Sequence, residues 1–166
     1  MVEAILVGTL AVTFVYEVVQ FDDPHQRSMQ IADRRSGEWM SAHLPSDAVV
    51  GSWDAGVLGY FADRPVVNLD GVVNSFAWLD AQRDGTTADY LDHRHVRYFA
   101  NHAAVVDGQD PGIRHDVTGL LGADAAARLR QLKRFEFVYS GNIEGASTTG
   151  NRNWASFVYE VPQPSG

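Results

Sequence analysis

Acidic side chains follow two short apolar runs of the sequence, and their spacing predicts a binding site at one edge of a sheet. Residues 48–53 (AVVGSW) and 65–69 (PVVNL) have the composition of buried strands, and Asp54 and Asp70 come directly after them. If these strands are parallel neighbours, both carboxylates lie at the carboxyl edge of the sheet, where α/β folds bind ligands. Amide and aromatic side chains nearby complete a candidate set for a sugar or lipid: Trp53, Asp54, Tyr60, Asn68, Asp70 and Asn74.

A purely structural role for the two aspartates competes with this interpretation. An aspartate after a strand often caps the helix that follows, and Asp-Gly is a common turn sequence. Asp54 precedes Ala-Gly and Asp70 precedes Gly-Val, so both fit capping or turn formation. From spacing alone the capping role is favoured.

Other catalytic chemistry has little support in the sequence. The chain has no cysteine, which excludes zinc ribbons, iron–sulfur clusters and thiol catalysis. His93, His95, His102 and His115 form a loose group, but His93 and His95 point to different faces and no metal-binding motif is present. No nucleophile elbow or phosphate-binding glycine loop occurs. We therefore predict no metal site, no cofactor and no catalytic residue in this chain.

The charge balance also narrows the range of partners. The 166 residues carry a formal net charge of −8, and no basic patch dominates. Binding to nucleic acid needs a positive surface, so we predict no nucleic-acid partner. With 45% apolar and 20% charged residues, the composition is that of an ordinary globular domain.

The elements that must position the candidates follow a strand–helix alternation. A helix is predicted over 24–43, and three strands near 48–53, 65–69 and 97–101 alternate with helical segments, which indicates parallel pairing. A helix over 123–132 precedes two alternating segments near 135–139 and 157–161, which predict an antiparallel pair. The expected fold class is a small three-layer α/β sheet in one domain, 24–161, with a disordered tail at 162–166.

The N-terminal segment 4–21 is predicted to be a transmembrane or anchoring helix. Ten of its eighteen residues are Ile, Leu, Val or Phe, which contribute about −3 to −6 kcal/mol for insertion, and Glu17 opposes this by up to about 3 kcal/mol. A buried soluble helix or strand is the alternative. Arg27, Arg34 and Arg35 follow the segment, and by the positive-inside rule they favour a cytoplasmic domain.

The stretch from Leu44 to Ser75 resembles a known family. Its LP, GSWDAG, GYF and RPVVNLDGVVNS motifs resemble the tail domain of bacterial and archaeal multi-spanning glycosyltransferases, related to glycosyltransferase family 39 and to dolichyl-phosphate-mannose–protein mannosyltransferases. The Tyr90-Leu91 pair and Val96 to Tyr98 also fit. The resemblance covers roughly residues 34–101. In that family the catalytic acids lie in loops between membrane helices, and no such loop is present here.

The resemblance implies an accessory domain that faces the extracytoplasmic side of the cell membrane. It would act beside the catalytic transmembrane part of a glycosyltransferase that uses a polyprenyl-phosphate-linked sugar. There it would cover the active site or select the acceptor glycan, and as an isolated chain it is expected to be inactive. Two alternatives stay open: a free-standing membrane-anchored interaction protein, and a soluble α/β enzyme.

Overall fold

The computed structural model describes residues 2–21, 24–70, 75–105, 111–137 and 153–162. Seven helices lie in these ranges: α1 Val2–Phe21, α2 Pro24–His43, α3 Ala55–Ala62, α4 Phe76–Asp84, α5 Thr87–His93, α6 Pro111–Leu121 and α7 Ala123–Ala127. Five strands accompany them: β1 Val49–Ser52, β2 Val66–Asn68, β3 Val96–Val105, β4 Arg130–Phe137 and β5 Asn153–Glu160.

The strands form one mixed sheet in the order β2-β1-β3-β5-β4. β1 pairs in parallel with β2 and with β3, whereas β5 pairs antiparallel with β3 and with β4. The predicted α/β class, the three parallel strands and the antiparallel pair are therefore confirmed. The chain passes from β1 to β2 on one side and then to β3 on the other, so the strand order reverses between β1 and β3.

Helices cover both faces of the sheet. Side chains of successive strand residues point to opposite faces, so each strand contributes to two core clusters. On one face, Val50, Ala100 and Val158 pack with Met40 and Leu44 from α2 and with side chains of α3. On the other face, Phe99, Phe157 and Tyr159 pack with side chains of α4, α5, α6 and α7. The adjacent residues Phe99 and Ala100 thus belong to different core clusters, which makes three layers.

Helix α2 lies very close to α3, and Gly37 makes this approach possible. A Cβ atom at Gly37 would lie 2.7 Å from the carbonyl oxygen of Leu58 and 2.8 Å from Cβ of Phe61. Arg64 fixes the other end of the same unit. Its guanidinium donates hydrogen bonds to the carbonyl oxygens of Ser41, Leu44 and Pro45 at 2.8–3.0 Å, which satisfies acceptors where α2 ends.

Two predicted elements differ from the structure. The helix predicted over 123–132 ends at Ala127, and Arg130 already lies in β4, where it pairs with Glu160 of β5. Hydrogen bonds across the sheet replace the local helical ones, so β4 begins before the predicted 135. Strand β5 likewise begins at Asn153, ahead of the predicted 157. Of the predicted disordered tail, residues 163–166 lie outside the described part of the chain.

The N-terminal segment forms the predicted helix as α1. Every residue from Val7 to Tyr16 is exposed, and Val12 and Phe14 are 71% and 69% exposed. Within the described residues, no helix combines the length and the apolar character needed to cross a membrane.

Candidate binding cleft between β1 and β3

The carboxyl ends of β1 and β3 frame a cleft at the position where the strand order reverses. In open α/β sheets this is where ligands bind, because loops leave the two strands in opposite directions and open a crevice. Gly51 of β1 pairs with Phe99 of β3, so β3 runs on past the end of β1. Asp54 follows β1 and His102 lies on the overhanging part of β3, so both residues reach this edge.

Asp54 occupies the N-cap position of α3, but its side chain makes no capping hydrogen bond. Its backbone N–H donates instead to Oδ1 of Asn101 at 3.0 Å, and the Ser52 hydroxyl approaches the same oxygen at 3.4 Å. Asn101 on β3 therefore holds the loop after β1 in place. The Asp54 carboxylate, 60% exposed, is left to face the cleft, so the capping role favoured by spacing does not apply.

His102 lies between two carboxylates. Its Nδ1 is 2.9 Å from Oδ2 of Asp33 on α2, and its Nε2 is 3.8 Å from Oδ2 of Asp54. The imidazole is 11% exposed and Asp33 is 6% exposed. Burial is the largest single influence and lowers the pKa of His102. The hydrogen bond and charge of Asp33 and the charge of Asp54 outweigh it, so the pKa of His102 is raised.

The buried face of α2 carries Asp33 to this position. One face of α2 is buried along two turns. It carries Asp33 and the residues three, four and seven positions after it, which are Ser36, Gly37 and Met40. Ser36 donates its hydroxyl hydrogen bond to Ser156 of β5 at 2.7 Å. Since Ser156 pairs directly with His102 across the sheet, this bond fixes α2 beside the imidazole.

The resulting cleft has a volume of about 290 Å³. It is lined by polar groups of three elements together with small and apolar side chains: Met29, Gln30, Asp33, Asp54, Gly56, Val57 and His102. Oδ1 of Asp33 is buried and has no hydrogen-bond partner within the described part of the chain. The cleft thus combines negative charge, an oriented imidazole and an unsatisfied buried acceptor.

The other predicted site residues of the first strand–helix unit lie elsewhere. Trp53 is half-buried and packs on Phe99, with ring centroids 6.1 Å apart, so it belongs to the core on the α4 side of the sheet. Tyr60 is 83% exposed on α3 and contacts Phe61 edge to face. Among the predicted candidates in the described ranges, Asp54 is the one that lines the cleft.

The second predicted aspartate lies at the same sheet edge, as the parallel pairing requires. Ser52 pairs with Asn68, so Asp54 and Asp70 each come two residues beyond a paired position. Asn68 accepts a hydrogen bond from the backbone N–H of Asp70 at 3.1 Å, which makes a local turn. Asp70 does not cap α4, the next helix in the described residues, because Ser75 holds its N-cap position. Asn74 lies outside the described residues.

Sequence reasoning missed Asp33 and His102 as members of one cluster. They are 69 residues apart, and neither belongs to a local motif. One signal was present in the sequence: an aspartate and a serine interrupt the apolar face of α2, where a buried polar residue requires a partner. That signal marks Asp33 but does not identify His102.

Together, the three-layer fold and the polar cleft at the reversal of strand order define an α/β domain with a candidate binding cleft. The chain belongs to the family described as a domain of unknown function, DUF8728, whose model matches residues 19–158. Comparison with curated proteins and with solved structures found no match.

Proposed function

We propose that this chain is a membrane-anchored accessory domain that binds the sugar of a polyprenyl-phosphate-linked donor, or an acceptor glycan, beside a membrane glycosyltransferase on the extracytoplasmic side. One observation supports this function best: a polar cleft at the carboxyl edge of the sheet and an exposed apolar helix occur in one chain. The cleft suits a polyhydroxylated ligand, and the helix suits a lipid environment. The GSWDAG and NLDG motifs favour the same class.

The cleft is chemically suited to hydroxyl groups. The Asp54 carboxylate can accept two hydrogen bonds from neighbouring sugar hydroxyls, and such charge-assisted bonds are about twice as strong as neutral ones. His102 offers a second polar group at 3.8 Å from that carboxylate. Side chains from three different elements line the cleft, so a bound ligand would contact all three.

Helix α1 supplies the anchoring part of the function. An isolated helix that is apolar on all sides is unstable in water, because each exposed apolar side chain forgoes burial. The exposed residues 7–16 include Leu10 and Phe14 on one side of the helix and Val12 on the opposite side. The Thr13 hydroxyl donates to the carbonyl oxygen of Thr9 at 2.9 Å, which satisfies it without water. These features favour a lipid bilayer as the environment of α1.

Flotation on lipid vesicles tests the anchoring. The full chain is expected to float with phosphatidylcholine vesicles, and Phe14→Asp is expected to lower the floating fraction at least fivefold. A carboxylate costs up to about 3 kcal/mol in the apolar part of a bilayer, which offsets much of the energy that the apolar side chains of α1 would gain by contacting lipid. Zwitterionic lipid is the appropriate choice, because the chain carries a net charge of −8 and anionic lipid would repel it.

Phe76→Asp is the matched control, since Phe76 is an exposed aromatic residue of α4, 86% exposed. It should float like the unaltered chain. Equal flotation of the Phe14 and Phe76 variants, or no flotation of the unaltered chain, would contradict anchoring through α1. If detergent extracts show a stable second protein bound through α1 instead, the free-standing interaction protein becomes the better account.

A further inference from the structure

Three side chains at the cleft have the identities and spacing of a metal site. Asp33, Asp54 and His102 each offer one ligand atom, and these atoms lie within 4.8 Å of one another. They come from α2, from the loop after β1 and from β3. Elements far apart in sequence therefore bring two carboxylates and one imidazole to a single point.

The electrostatics of the cluster favour a cation. Two carboxylates face one histidine, and no arginine or lysine in the described ranges forms an ion pair with either of them. Asp33 is almost completely buried, and its Oδ1 has no hydrogen-bond partner within those ranges. A buried carboxylate oxygen without a donor is costly, and a positive charge in the same cleft lowers this cost.

The hydrogen bond to Asp33 determines which imidazole nitrogen can bind an ion. An ionised carboxylate only accepts hydrogen bonds, so the Nδ1–H of His102 donates the hydrogen bond to Oδ2 of Asp33. Nε2, the other ring nitrogen, lies on the side of Asp54, 3.8 Å from Oδ2. Two metal bonds of about 2.0–2.2 Å at a tetrahedral angle place their donor atoms about 3.3–3.6 Å apart, so Nε2 and Oδ2 need to approach by only about 0.2–0.5 Å to hold one ion.

We propose that His102 Nε2 and Asp54 bind a divalent transition-metal ion of the Zn²⁺ class, with Asp33 as the carboxylate that orients the imidazole. A carboxylate–histidine–metal arrangement of this kind fixes the ring and strengthens its basicity. The imidazole favours Zn²⁺ over Mg²⁺, which prefers oxygen ligands. Water or a bound ligand completes the coordination. This metal site stands independently of glycosyl transfer, because it uses none of the resemblance to glycosyltransferases.

Calorimetric titration of the metal-stripped full chain with ZnCl₂ in detergent tests the site. One equivalent is expected to bind with a dissociation constant in the micromolar range. His102→Ala and Asp54→Asn should each weaken binding at least thirtyfold, and Asp33→Asn should weaken it about 10–100-fold. MgCl₂ in place of ZnCl₂ should show at least a hundredfold weaker binding.

His93→Ala and Asp47→Asn are matched controls, because both residues are exposed and lie outside the cluster. They should bind within twofold of the unaltered chain. Asp54→Asn keeps the test valid if a buried variant fails to fold, since Asp54 is 60% exposed. Unchanged Zn²⁺ affinity in Asp54→Asn, or no binding to the unaltered chain below 1 mM, would overturn the site. Sugar or lipid takes no part in the titration, so its outcome is separate from that of the proposed function.

Discussion

Trp78→Ala is expected to lower the free energy of unfolding by about 3–5 kcal/mol, which is much of the stability of a domain of this size. Trp78 is 0% exposed and belongs to the core cluster on the α4 side of the sheet. Its ring lies 5.2 Å from that of Tyr90 on α5. Removing it leaves a large cavity between α4, α5 and the sheet, because close-packed neighbours relax only in part.

Two further variants separate cavity formation from other effects. Trp78→Phe should cost less than half as much as Trp78→Ala, because Nε1 of Trp78 is buried without a hydrogen-bond partner in the described part of the chain. Leu79→Ala, at a neighbouring position that is 43% exposed, should cost less than about 1 kcal/mol. Urea unfolding followed by far-ultraviolet circular dichroism measures all three. A Trp78→Ala loss below 1 kcal/mol would contradict the packing of α4.

Gly37→Ala is expected to destabilise the domain by about 1–3 kcal/mol, although alanine is the better helix former by about 1 kcal/mol. The added Cβ would lie 2.7 Å from a backbone oxygen of α3, and that oxygen cannot move without the helix. The contact between α2 and α3 must therefore open, which also displaces Asp33, one turn earlier on α2. Loss of packing outweighs the gain in helix propensity.

The same substitution at Gly119 supplies a control of opposite sign. Gly119 lies in α6, and a Cβ atom there would have no neighbour within 4 Å. Gly119→Ala should therefore leave stability unchanged or raise it by up to about 1 kcal/mol. Thermal and urea unfolding of the two variants side by side would show the difference. If both variants gain stability, α2 does not approach α3 as closely as the structure places it.

The sheet could be predicted from the sequence because its parallel strands carry strong local signals. Apolar runs of strand length, separated by helical segments, indicated β1, β2 and β3 and placed Asp54 and Asp70 at one edge. The register of β1 with β2 agrees with that placement. Helix α2 was predicted with its observed bounds, since Pro24 suits a first turn and Leu44-Pro45 ends a helix.

The metal-type cluster could not be predicted, because its partners meet only in the folded chain. Asp33 interrupts an apolar helix face, and His102 stands in a strand, so each looks like an isolated polar residue. The prediction that no metal site exists considered histidines near one another in sequence and did not pair His102 with carboxylates. The early start of β4 escaped notice for a similar reason, since pairing with β5 overrides the helical pattern of Arg130 and Leu132.

Packing explains part of the motif that carries the resemblance. Gly51 lies where a Cβ atom would come within 3.0 Å of Leu69 and 3.1 Å of Phe99, so glycine is needed for close contact. Arg64 satisfies carbonyl oxygens at the end of α2. These two positions therefore have structural roles, whereas Asp54 is directed into the cleft.

Binding of a lipid-linked sugar to the full chain tests the central claim most directly. The dissociation constant of a polyprenyl-phosphate-linked hexose would be measured in phosphatidylcholine nanodiscs with EDTA present, so that bound metal plays no part. Asp54→Asn is expected to weaken binding about tenfold or more, because a charge-assisted hydrogen bond contributes about 1.5–3 kcal/mol. Asp47→Asn should bind within twofold of the unaltered chain. If Asp54→Asn binds as tightly as the unaltered chain, or if the unaltered chain does not bind the sugar, the cleft between β1 and β3 is not a sugar-binding site.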